Sequence, residues 1–104
     1  MLSFEDRLKV IVQQDVQRLV KAQEKYGDSW RKRGGQEAFY NWSRKVDRVE
    51  VACEKTNHDI FAAIQATPAS DGTFDGKDGL LDDLRELRHY ILLIEEFVTR
   101  TGGA

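Results

Sequence analysis

One cysteine in 104 residues, Cys53, excludes an internal disulfide framework and any zinc site built on paired cysteines, and it fits a reducing compartment. One proline, Pro68, leaves long windows free for helix. No stretch approaches the roughly 18 consecutive apolar residues that a membrane-spanning helix needs. The first residues, Met1 to Asp6, lack the basic region and apolar run of a signal peptide, so a cytoplasmic location is expected. A formal net charge of −2 argues against general nucleic-acid binding driven by charge. Period-two alternation is missing too, which excludes a half-buried strand. There is no phosphate-cradling glycine loop and no nucleophile elbow around a serine.

What remains is helical pattern in one domain, residues 1–104. Ser3 followed by Asp6 starts a first helix over about 4–25, with Leu8, Ile11, Val12, Val16, Leu19, Ala22 and Tyr26 at helical spacing. Gly27 ends it. A basic loop with an aromatic and flanking glycines, Gly27 to Gly35, leads into the longest pattern in the chain. There Phe39, Trp42, Val46, Val49, Cys53, Thr56, Ile60 and Ile64 form one apolar stripe, predicting a helix from about 36 to 66 with a break near Asn57. Residues 67–79 hold every strong breaker type and form the one linker. A third helix is predicted from about Asp78 to Arg100, with Leu80, Leu84, Leu87, Ile91, Ile94 and Val98 on its main stripe and Thr101 to Ala104 as a fraying tail. Its opposite face is acidic first, through Asp78, Asp82 and Glu86, then continues through His89 to apolar Leu93 and Phe97. A helix apolar on two sides is sandwiched between partners. The expected architecture is an all-α bundle of three long helices whose core is completed by oligomerisation.

Two sets of charged residues carry candidate chemistry. Asp47, Glu50 and Glu54 form a row about a quarter-turn from the stripe of the second predicted helix, which places them at the edge of the core. With Asp78 and Asp82 they could hold Mg²⁺ or Mn²⁺, hard cations that take carboxylate and phosphate oxygens, and so activate a water against a polyphosphate. Solvated acidic faces would show the same spacings. Lys45 and Arg48, with Arg44 nearby, could grip phosphate oxygens or could form ordinary salt bridges. Arg33 and the other loop cations could approach phosphate as well. Trp30 beside them either stacks on a base or plugs the end of the core. Asp71, Thr73, Asp75, Gly76 and Asp82 imitate a calcium loop, but aspartate stands where the bidentate glutamate belongs. Cys53 belongs to the apolar stripe.

Lys25-Tyr-Gly-Asp-Ser-Trp30, Arg33-Gly-Gly35, Phe39, Arg44-Lys-Val-Asp-Arg-Val-Glu50, Asp78-Gly-Leu-Leu-Asp-Asp-Leu84 and Tyr90 together resemble the MazG-like all-α nucleoside triphosphate pyrophosphohydrolases. The closest likeness is to their small phage and prophage branch, sometimes labelled nucleotide-modification-associated. The resemblance covers about residues 20–97. It implies a dimeric or tetrameric bundle that cleaves a nucleotide between its α- and β-phosphates with Mg²⁺. It also implies Asp47 with Glu50, and Asp78 with Asp82, as metal ligands, and Lys45 and Arg48 as phosphate contacts. The chain departs from the pattern in three ways. Its first acidic pair begins with aspartate, Arg44 and Lys45 stand where a doubled glutamate is usual, and its second pair is spaced four apart where three is common.

Two functions follow as expectations. One is Mg²⁺-dependent pyrophosphohydrolysis of a nucleoside triphosphate or related nucleotide, with Glu50 or Glu54 as the base. The other is nucleotide binding without turnover, sensing or sequestering a nucleotide signal. A helical protein with purely structural use remains the third possibility. A phage-encoded chain would work in the host cytoplasm.

Overall fold

A computed structural model describes residues 1–102, and they are helical throughout apart from turns and one long loop. Helix α1, Phe4–Tyr26, begins at a full capping box. Ser3 Oγ accepts the Asp6 N–H at 3.1 Å, and Asp6 Oδ2 accepts the Ser3 N–H at 3.3 Å. Gly27, at φ +59°, turns the chain out of α1. A short 3₁₀ turn, Ser29–Arg31, leads to helix α2, Gly35–Glu54.

The long second helix of the sequence reading is two helices. Asn57 and His58 both have left-handed backbone, φ +55° and +63°, and the His58 N–H reaches back to the Cys53 carbonyl at 2.8 Å. Asp59 then caps helix α3, Ile60–Ala66, by accepting the N–H groups of Phe61 and Ala62. The break falls where it is predicted, so the all-α class stands, with four α-helices among the described residues.

The linker folds on itself. Ala69 is buried, its N–H donates to the Thr73 carbonyl at 2.7 Å, and Asp71 Oδ1 accepts both the N–H and the hydroxyl of Thr73. Gly79 passes so close to Ala69 that a Cβ there would lie 2.9 Å from its backbone nitrogen. Helix α4, Leu80–Thr101, follows and is capped by Gly102 in the left-handed conformation. Of the expected fraying tail, Gly103 and Ala104 lie outside the described residues.

The main packing contact is α2 along α4, with α3 touching both and α1 touching α4. Among the described residues the buried apolar side chains are small, Ala38, Ala63 and Ala69, with Leu80 the one large exception. Two carboxylates, Asp15 and Asp83, are buried beside them. No helix among the described residues is long and apolar enough to cross a membrane.

Candidate functional site

Helix α2 packs most of the expected stripe, with Trp42, Val46, Val49 and Cys53 half-buried, but Phe39 at its start is exposed. On the adjoining side Ala38 is buried and Lys45 and Ala52 are half-buried. The packed face is rotated toward Lys45 by roughly half of one residue's step around the helix. That rotation has two effects. It leaves Asp47, Glu50 and Glu54 exposed instead of at the core edge, and it swings Lys45 in.

What draws Lys45 inward is a pair of carboxylates on α4. Asp83, 5% exposed, lies 3.6 Å from Lys45 Nζ and 3.4 Å from the Arg48 guanidinium. Glu86, three residues on, is ion-paired with Lys45. Burial pushes the Asp83 carboxyl above its ordinary range, and this outweighs the two neighbouring cations. Burial opposes the charge on Lys45, but the bond to Glu86 prevails and its ammonium is held more firmly than usual. The sequence reading missed Asp83 and Glu86 as partners of α2. Their i, i+3 spacing opposite an i, i+3 pair of cations was the available signal.

A second charged contact locks α1. Asp15 is 1% exposed in the middle of the α1 stripe and accepts from Arg88 at 2.6 and 2.9 Å. Its Oδ1 also lies 2.9 Å from His89 Nε2. Burial alone would raise its pKa, but the bonds from Arg88 and His89 hold the carboxyl below the usual range. His89 is therefore committed to a carboxylate. The sequence signal was a charge standing on an apolar stripe, three residues after Val12 and four before Leu19.

The four substrate-binding candidates line two adjoining cavities. One, of about 340 Å³, is walled by Arg44, Lys45, Arg48 and Tyr90, and by Asn41. The other, about 270 Å³, also takes Asn41 and adds Trp30, Lys32, Arg33 and Glu37. Glu37 is the only carboxylate on either lining. Arg44 donates to Asn41, and among the described residues neither Arg33 nor Arg44 has an ion-pair partner, so both guanidinium charges remain open to a ligand. Trp30 is half-buried and meets Phe97 edge to face at 6.4 Å. It packs as core and still presents an edge to the cavity.

The acidic candidates do not gather. Asp78 precedes α4 and sits in left-handed backbone, φ +69°, while Asp82 lies in the first turn of α4 and accepts the Asp78 N–H. Both line a polar cavity of about 600 Å³ with the carboxylates Asp71, Asp75 and Glu86, with His89, and with Arg18, Lys77 and Arg85. Asp47, Glu50 and Glu54 are not on that lining. Among the described residues no three of His, Cys, Asp and Glu converge closely enough to hold a metal ion. Asp83 and Glu86 do converge, but Lys45 and Arg48 already satisfy them. Asp71 of the calcium-loop pattern is spent on its own turn with Thr73.

No family model, curated protein or solved structure matches the chain. The likeness to MazG-like hydrolases rests on the motifs quoted above.

Proposed function

We propose that the chain is a MazG-like helical protein that binds a nucleotide by its phosphates, without turnover, in the cytoplasm and as a homo-oligomer. The pair of adjoining cavities carries this reading: Arg33, Arg44, Lys45 and Arg48 surround a space that one polyphosphate could follow, hinged at Asn41. Asp83 and Glu86 hold Lys45 and Arg48 in place, so little side-chain freedom is lost when phosphate arrives. Arg33 and Arg44 supply the charge that is not already neutralised, with the planar geometry that suits phosphate oxygens. Tyr90 and Trp30 offer aromatic edges for the base.

A second reading, Mg²⁺-dependent pyrophosphohydrolysis, is favoured by the polar cavity in which Asp78 and Asp82 lie among Arg18, Lys77 and Arg85. Asp71, Asp75 and Glu86 line the same cavity. A second copy would add Asp47 and Glu50, the ligands that the resemblance implies, with Glu50 or Glu54 as the base. Incubation with a panel of nucleoside triphosphates and Mg²⁺ separates the two. Tight binding with the ligand recovered intact supports the first. Release of pyrophosphate that disappears in Glu50→Gln supports the second. Binding of no nucleotide defeats both.

A further inference from the structure

All of residues 1–14 are exposed, so the first half of α1 stands clear of its own chain. Its sequence is nevertheless amphipathic. Phe4, Leu8, Ile11, Val12 and Val16 form one ridge, each between 42% and 59% exposed. About three turns of helix held out in water by a capping box, an Arg7–Leu2 hydrogen bond, the exposed Glu5–Lys9 pair and the distant Asp15 contact are marginal unless that apolar face is covered. A second uncovered apolar surface lies elsewhere on the molecule. It is a groove of about 530 Å³ between the 3₁₀ turn, α2 and α4, lined chiefly by Trp30, Phe39, Trp42, Ile91, Ile94 and Phe97. Phe39 and Ile91 in its walls are 58% and 51% exposed.

The size of the uncovered surface indicates the occupant. The chain exposes 7849 Å² at 12.0 kDa. A folded monomer of that mass exposes about 6,000 Å². The radius of gyration, 15.4 Å, likewise exceeds the roughly 13 Å of a compact domain this long. The excess is about 1,800 Å² per copy, and two copies covering it in each other would bury an area within the range of obligate dimers, about 2,000–5,000 Å². A single chain carries both an unfilled groove and a ridge to fill one. From Phe4 to Val16 the ridge is about 18 Å long.

We infer that the α1 ridge of one copy seats in the α2–α4 groove of a second copy, and reciprocally, making a closed two-fold pair. This builds on the oligomeric part of the function proposed above and not on its ligand. Reciprocal docking closes the assembly, whereas an unreciprocated ridge-in-groove contact would propagate into fibres. The groove shares Trp30 with the second cationic cavity, so the partner's arm would lie beside the ligand.

Sedimentation velocity of the full chain, of a ridge variant (V12E) and of a groove variant (I91E) tests the pairing. Wild type should sediment as a dimer, and each variant alone should lose at least tenfold in association. Mixing the two should restore a pair, because the intact ridge of I91E meets the intact groove of V12E. Leu8→Glu and Phe39→Glu repeat the test at neighbouring exposed positions, and circular dichroism identifies any variant that fails to fold. Monomeric wild type, dimers that survive V12E and L8E, or a mixture that stays monomeric would each overturn the inference. Ridge pairing with ridge would instead leave I91E dimeric by itself. Nucleotide titration of the same variants is read separately, so loss of the pairing and loss of the ligand are not confused.

Discussion

Asp15 and Asp83 are both buried carboxylates bound to cations, yet they contribute to stability in opposite senses. Asp15 is held below its ordinary value of 3.8, so its stabilisation is complete above that pH and disappears as pH falls through the lower folded value. Asp83 is raised, so its contribution declines as pH climbs from 3.8 through the higher folded value. At neutral pH, Asp15→Asn should therefore cost about 2 kcal/mol by urea unfolding at fixed protein concentration. Asp83→Asn should cost clearly less. In acid, below the folded value of Asp15, the penalty of D15N should vanish. Equal penalties for the two variants, or a D15N penalty independent of pH, would contradict these electrostatics. Asp15 was legible in principle, because a charge on an apolar stripe demands a partner. The sequence could not say which residue that partner would be, since Arg88 and His89 are more than seventy positions away.

The helices themselves were written locally. Ser3, Gly27, Asn57, Asp59 and Gly102 act through their own backbone or that of near neighbours, and each boundary follows from capping or left-handed geometry. The facing of α2 was not local. Phe39 and Lys45 compete to turn inward, and Asp83 with Glu86, on another helix, decide the matter. That is why the acidic row was placed at a core edge it does not occupy. Two predictions belong to this scale. His58, exposed at φ +63°, pays for its left-handed backbone, so His58→Gly should raise stability by about 0.5 kcal/mol, seen as a higher urea midpoint with unchanged slope. Along the α2–α4 contact, Lys45→Glu with Arg48→Glu would set four carboxylates face to face. The double variant should melt below wild type and recover with Mn²⁺, whereas Mn²⁺ alone should leave wild type unmoved. Wild type stabilised by Mn²⁺ would point instead to a metal site completed between copies.

At the scale of the whole molecule, α4 explains both the core and its incompleteness. Its first half, from Leu80 to Tyr90, is buried or half-buried throughout, while Ile91, Ile94 and Val98 beyond it are exposed. The sandwiched helix expected from the two apolar faces is thus realised within one chain only where α1, α2 and α3 reach it. An obligate pair should show a melting temperature that rises with protein concentration. The cationic cavities open near that unfinished half, and Arg33 and Arg44 are guanidinium charges there that no ion pair among the described residues requires. They allow the ligand claim to be tested without disturbing the Lys45–Asp83–Glu86 contact. The decisive measurement is calorimetric titration of a nucleoside triphosphate into wild type and into Arg33→Ala/Arg44→Ala, in EDTA and at two salt concentrations. Binding by wild type that persists in EDTA, weakens with salt and falls at least tenfold in the double variant is the expected result. Binding that needs Mg²⁺, or that ignores the loss of both arginines, would contradict a phosphate site built from these cations.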